Sequence, residues 1–305
     1  MVMLEKLTLN NMNTFKEIYY KNLKEISYNK DFFRCYDNQN FLFKFLYRKF
    51  IRLIKVKDQY IGYLWFDNTD GKYIKVWALY IDNNYSELIN EFTLSYFNNN
   101  ILSYEEIDNI QNSITLSKLG FKKINYTLLL KLDISNYIDI NLKDSILSKS
   151  KYKLEEKIKS NNNFEFYIRK LQIGKDEILR CNIQNDIFAQ WNRRPLSLDD
   201  IHADMSQDYF LEDLCFWGLV NNEYVGYGQI IFNRNMYTIV NFGIVSKYRG
   251  LGLSKLLLNE IIIAAKNYGI KDLYIRVDSD NVKAINLYRW IGFKETNKIV
   301  VWERK

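Results

Sequence analysis

The stretch Tyr248–Ile261, YRGLGLSKLLLNEI, sets two glycines two residues apart beside an arginine and passes at once into an apolar helical pattern. The chain of 305 residues holds only 12 glycines and one proline, so this placement asks for a reason. Leu253, Leu256, Leu257, Ile261, Ala264 and Ala265 recur at helical spacing, and Gly269 stands where a helix takes its left-handed end. Upstream, Met236–Val245 reads as a strand. The order is therefore strand, tight loop, helix start. The first N–H groups of a helix lack internal partners, and the macrodipole leaves partial positive charge there. Such a junction suits an anion, best a phosphate or pyrophosphate. Gly250 and Gly252 let the backbone turn sharply and approach that anion closely, and Arg249 adds formal charge.

Further downstream, KDLYIRV at Lys271–Val277 alternates as a strand, and Asp280 or Asn281 offers an N-cap for a helix running to about Trp290 and closed by Gly292. On that helix Asn281, Ala284 and Tyr288 share a face, with a small alanine between two polar tips that leaves room for a ligand.

The chain is written twice. DQYIGYLWF at Asp58–Phe66 returns as NEYVGYGQIIF at Asn222–Phe232. The pair Asp108–Asn109 followed by LGFK, ending at Lys122, returns as Asp280–Asn281 followed by IGFK, ending at Lys294. The second copy maps as a strand near Phe164–Leu171, helices through about Asp213 with Pro195 between them, strands at Leu214–Val220 and Tyr224–Phe232 joined by a tight NNE turn, then the strand and glycine stretch above. The polar, lysine-rich segment between the copies marks a boundary. The expected division is residues 1–140, a linker 141–163, and 164–305. Each copy is expected to be an α/β unit in the α+β sense, a mostly antiparallel mixed sheet flanked by helices.

Composition removes several classes. Cys35, Cys181 and Cys215 have no metal-ligand spacing, and a single histidine, His202, offers no partner for a Ser or Cys nucleophile, so metal sites, disulfide frameworks and Ser-His-Asp chemistry are not expected. The net charge of +7 is scattered rather than striped, which argues for a solvated basic surface and against nucleic acid. No apolar run approaches the roughly 20 residues of a membrane span, and MVMLEKLTLNN lacks a signal-peptide pattern, so a cytosolic protein is expected.

Read together, these motifs resemble the GNAT acyltransferase superfamily, which transfers acyl groups from coenzyme A. Its cofactor motif corresponds to Arg249, Gly250, Leu251, Gly252, Leu253 and Ser254, with Ser254 where the family usually has Gly or Ala. Its next motif corresponds to NVKAINLYRWIGF at Asn281–Phe293. The resemblance implies two tandem GNAT-like domains and an acetyl-CoA-dependent N-acetyltransferase in the second, acting on a small-molecule or peptide amine by direct attack in a ternary complex. It implies that the amides of Gly250–Ser254 cradle the pyrophosphate, that the strand edge at Phe242–Val245, with Ile244 and Val245, pairs with the pantetheine arm, and that Asn281 touches the same arm. The amide near Ile244 would polarise the thioester carbonyl, and Tyr288 would protonate the departing thiolate as general acid.

The general base is not evident. MYTIVNFGIV lacks the strand glutamate that many relatives carry; Asn241 or Thr238 would only position a water, and Asp278 and His202 are candidates by position or acidity alone. Trp191, Arg193 and Arg194 are candidates for holding an acceptor. The missing carboxylate keeps a second reading open, a non-catalytic module that senses acyl-CoA. In the first copy the glycine loop is replaced by DNNYSELINEF, Glu87 puts negative charge near the expected phosphate, and Leu116 stands at the position of Tyr288. That copy is expected to bind no acetyl-CoA and to serve a structural role.

Overall fold

The computed structural model describes every residue outside 1, 23–30, 38, 69–70, 141–142, 159–163, 190–193 and 234. The elements of the first half are β1 (Val2–Lys6), α1 (Met12–Asn22), α2 (Phe32–Asp37), α3 (Phe41–Arg48), β2 (Ile51–Val56), β3 (Gln59–Asn68), β4 (Tyr73–Ile81), β5 (Ile101–Ile107), α4 (Ile110–Lys118) and β6 (Lys122–Asp133). Those of the second are α5 (Lys143–Ile158), β7 (Phe166–Lys170), α6 (Glu177–Ile187), α7 (Leu198–Met205), β8 (Phe210–Val220), β9 (Glu223–Asn233), β10 (Met236–Ile244), α8 (Leu253–Asn267), β11 (Asp272–Asp278), α9 (Val282–Ile291) and β12 (Lys294–Arg304). Contacts group the chain into two compact units, Met1–Leu128 with Asn297–Lys305, and Leu129–Thr296.

In the first unit the strand order is β1-β2-β3-β4-β5-β12, antiparallel except for the parallel pair β4 and β5. Strand alternation sends Leu53, Tyr63, Trp65 and Ala78 to one face, against Phe15, Tyr19, Phe32 and Phe33. The other face carries Leu64, Val76, Leu102 and Tyr104 against Leu116 and Leu119. The second unit repeats the pattern with the order β7-β8-β9-β10-β11, again with one parallel pair, β10 and β11. The NNE turn is realised with Asn221 and Asn222 at φ 48° and 69°, the two left-handed residues that a two-residue hairpin of matching twist demands. Helix α8 buries Leu253, Leu256, Leu257, Ile261 and Ala265, five of the six residues whose spacing foretold it. Each buried leucine or isoleucine contributes roughly 1.5–3 kcal/mol, so this face outweighs the glycine-strained entry to the helix.

The compact units divide the chain differently from the expectation of 1–140, 141–163 and 164–305. Much of the stretch read as linker is helix α5, and Ser150 on it donates to the Leu251 carbonyl at 2.9 Å while Lys143 pairs with Glu260 at 2.7 Å. A lysine-rich sequence conceals this because only Leu147, Ser150 and Leu154 are buried. The last nine residues group with the first unit, since β12 pairs with β5 from Ile299↔Ile107 to Arg304↔Leu102 and puts Val300 and Trp302 into that unit's core.

Candidate active site

Strand β10 builds the site by failing to stay straight. Its parallel register with β11 runs Tyr237↔Leu273 to Ile239↔Ile275 and ends there. Beyond that point a bulge against β9, between Val240 and Gly243, puts Asn241 at φ 53° and turns the strand away, opening a cleft between the two strands. The Val245 amide is spent on the Val225 carbonyl at 3.0 Å, so strand alternation leaves the N–H of Ile244 on the open side. Gly243 faces Ile187 so tightly that an added Cβ would lie 2.3 Å from its Cγ2.

The chain then enters the loop. Gly250 and Gly252 take φ of 78° and 77°, a region in which a side chain costs about 1–2 kcal/mol. This conformation turns the N–H groups of Gly250 through Ser254 outward at the start of α8, and none of them has a protein acceptor among the described residues. A Cβ on Gly252 would sit 3.0 Å from Ile146 Cγ2 of α5, so the loop is backed on one side and open on the other. These open amides, with the helix dipole behind them, fit a pyrophosphate. Arg249 holds the loop in place: its Nε donates to the Ile244 carbonyl at 3.1 Å and its Nη2 to the Ile187 carbonyl at 2.6 Å, so the guanidinium ties the end of β10 to the end of α6.

A cleft of about 410 Å³ gathers most of the expected residues. Ile244, Arg249, Gly250, Gly252, Leu253, Ser254, Asn281 and Tyr288 all line it. Val245 and Leu251 do not, being 6% and 4% exposed with their side chains in the core. Asn281 caps α9, its Oδ1 accepting from the Ala284 amide at 3.2 Å. Tyr288 is 6% exposed, with its ring centroid 6.3 Å from that of Phe242 and 6.1 Å from that of Phe293. Burial raises its phenol well above the ordinary value, so the proton stays on through the neutral range.

Sequence reasoning missed the far wall. Ile187, Phe188 and Ala189 at the end of α6, and Lys283 and Leu287 on α9, complete the cleft. The α6 residues come from a segment with no motif, and only chain packing brings them there; Lys283 and Leu287 stood within the quoted helix motif without a spacing signal of their own.

The candidates for base and acceptor holding are dispersed. Thr238, Asn241 and Asp278 do not line the cleft, and Asp278 is exposed at the end of β11. His202 lines a different cavity with Glu177 and Met205. Arg194 donates to both oxygens of Asp200 at 3.0 Å, and the pKa of that carboxyl is lowered to about 2, first by the amide and hydroxyl of Ser197 and then by Arg194. Trp191 and Arg193 lie outside the described residues. Among the described residues no metal-binding cluster is present and no helix is long and apolar enough to cross a membrane.

The fold and cleft define a class: a mixed sheet with one splayed parallel pair, an anion cradle at a helix start, and a buried phenol beside both. Residues 181–293 match the family model described as the acetyltransferase (GNAT) family. The chain is 34% identical over 77 residues to the ribosomal protein bS18-alanine N-acetyltransferase of Haemophilus influenzae, a match covering 25% of this chain and 52% of that protein. The chain thus spans about half, or less, of the length of the curated relatives it matches. Among solved structures it resembles a GCN5-related N-acetyltransferase from Sphaerobacter thermophilus, with a TM-score of 0.65 at 11% identity over 99% of this chain and 95% of that one. It also resembles a tandem GNAT protein from the clavulanic acid biosynthesis pathway, with a TM-score of 0.56 at 11% identity over 99% and 98% of the two chains. At such identities the structures speak for the fold, which is that of two tandem GNAT-like units. The region 181–293 belongs to the GNAT acetyltransferase family.

Proposed function

We propose that the second unit transfers an acetyl group from acetyl-CoA to the amine of a small molecule or peptide, within a ternary complex in the cytosol. The observation that carries this reading is the meeting, in one cleft, of the open amides of the Gly250–Ser254 loop with the hydroxyl of Tyr288, which bonds to no other described residue. Acetyl-CoA, when bound, supplies an acetyl group activated as a thioester. The loop amides and the α8 dipole hold its pyrophosphate, with Arg249 bracing the loop rather than reaching for the phosphate. The open edge of β10 pairs with the extended arm, and the Ile244 N–H is oriented to polarise the carbonyl. Asn281, with Oδ1 spent on its cap, offers its Nδ2 group to the arm. Tyr288 donates its proton to the departing sulfur, a role that the raised phenol keeps available at neutral pH.

The first unit is proposed to bind no acetyl-CoA. Its loop carries no glycine, and Lys118 closes it by bonding to the Ser86 carbonyl at 3.0 Å and to Glu87 at 2.7 Å.

One observation favours a second reading, a non-catalytic module that senses acyl-CoA: no carboxylate or imidazole stands among the described residues lining the cleft. Free thiol release from acetyl-CoA, followed across a panel of primary amines and alanine-headed peptides, separates the two. Amine-dependent thiol supports transfer, whereas coenzyme A binding with no thiol from any amine supports the sensor.

A further inference from the structure

The two units invite comparison position by position. Parallel pairing ends at Val76↔Tyr104 in the first and at Ile239↔Ile275 in the second, and Gly62↔Ile81 stands where Gly226↔Ile244 stands. Counting from these anchors sets Leu79, Tyr80 and Ile81 in the places of Phe242, Gly243 and Ile244, and Glu106 in the place of Val277. Counting back from Gly120 and Gly292 on the following helices sets Asn112 and Leu116 in the places of Ala284 and Tyr288. The positions that line the acetyl-CoA cleft in the second unit therefore line a small cavity of about 40 Å³ in the first, with Tyr104 and Glu106 from β5.

Glu106 is the anomaly in this cavity. It follows Leu102 and Tyr104 on the core face of β5, where alternation calls for an apolar residue and where Val277 supplies one in the second unit. It is 8% exposed, Asn112 bonds its carboxyl, and its Oε1 has no partner among the described residues. A buried carboxylate oxygen left unpaired costs free energy, and native structures rarely leave one so. Glu106 and Asn112, at the places of Val277 and Ala284, make this cavity polar where the second unit has apolar residues. Burial and Asp108 push the carboxyl up to about 8, Lys123 pulls it down, and the phenols of Tyr80 and Tyr104 are the other titratable groups on the walls.

The backbone supplies the rest of an acceptor set. The Asp82 amide donates to the Ile61 carbonyl at 2.8 Å, so alternation along β4 turns the carbonyls of Leu79 and Ile81 away from β3 and toward the cavity. Beyond Val76 the parallel ladder with β5 no longer engages that edge. Three acceptors, Glu106 Oε1 and these two carbonyls, match the three donors of an ammonium group. The cavity is small, of a size that suits a methylammonium head. Two aromatic walls, Tyr80 and Tyr104, suit a cation further.

We propose that this cleft of the first unit binds the ammonium group of a small primary amine, with Glu106 as counter-charge. The site is independent of acetyl-CoA binding in the second unit. The test titrates the full-length chain with methylammonium chloride by calorimetry at pH 7, with NaCl and KCl at matched ionic strength as controls. Saturable heat is expected from methylammonium alone. Because burial keeps the free carboxyl largely protonated at pH 7, binding should release a proton, read from the dependence of the heat on buffer ionisation. Glu106→Gln, which leaves the cavity its shape, should weaken binding at least about tenfold and abolish the proton release; Leu116→Phe, which fills the cavity, should do the same should the first variant not fold. The proposal is overturned by the absence of saturable heat in the wild-type chain, by an equal response to KCl, which assigns an inorganic cation, or by undiminished binding in a folded Glu106→Gln chain.

Discussion

Replacing Tyr288 with phenylalanine removes one oxygen and nothing else from the cleft. That hydroxyl bonds to no described residue, and the ring keeps its packing against Phe242 and Phe293, so the melting temperature should stay within about 2 °C of wild type. Coenzyme A affinity should also hold within about threefold, because the proposed pyrophosphate cradle is the loop Gly250–Ser254 and not Tyr288. Turnover is different. A positioned general acid contributes about 10²–10⁴-fold, or about 2.7–5.4 kcal/mol of barrier, which is the loss expected of the variant. Wild-type and variant rates of thiol release at saturating amine, with binding of coenzyme A measured by calorimetry, separate the terms. Because burial raises the phenol, the wild-type rate should show no loss from its ionisation as pH rises toward 10. Turnover unchanged in the variant removes Tyr288 from proton transfer, and a parallel collapse of coenzyme A binding shows that the hydroxyl holds the ligand rather than the proton.

Gly252→Val should abolish detectable coenzyme A binding, since a β-branched residue at φ 77° would both strain the loop and drive a Cβ to 3.0 Å from Ile146; tight binding in calorimetry would sink the cradle. Glu106 sets a pH dependence of stability. Its carboxyl, pushed up to about 8 by burial, stands above the ordinary glutamate value of about 4.5, so the folded chain holds the proton that the unfolded chain loses, and stability should fall as pH rises from about 4.5 to about 8. Glu106→Gln should flatten that part of the urea-midpoint profile, and an unaltered slope would mean that the carboxyl is not held neutral by its burial. Removal of residues 297–305 should unfold the first unit, because it takes away the partner of β5 and the buried Trp302; loss of the aromatic near-ultraviolet circular dichroism is the expected sign, and a native spectrum would contradict the division.

The parts of the fold and site legible in the sequence are those whose physics is local. The helix after the loop was written in the spacing of Leu253, Leu256, Leu257 and Ile261, its end in Gly269, and the α9 cap in Asn281, because capping and amphipathic spacing act within a few residues. The repeat was legible for the same reason: YIGY and YVGY each place a glycine opposite the isoleucine that ends a splayed strand, Ile81 or Ile244. Helix α5 was hidden by its lysines, whose long side chains leave a narrow buried stripe. The bracing role of Arg249 was hidden too, since its acceptors, the carbonyls of Ile244 and Ile187, lie 5 and 62 residues away.

By itself the sequence determined the periodicities, the two left-handed glycines, the duplicated unit and the glycine loop and Tyr288 that line one cleft, all consequences of backbone geometry and side-chain chemistry read over short spans. Tertiary structure alone decided that β12 completes the first unit, that the end of α6 forms the far wall of the cleft, and that Glu106 is buried with an oxygen unpaired among the described residues. Those outcomes depend on which distant segments exclude water from one another, and no local pattern carries that information.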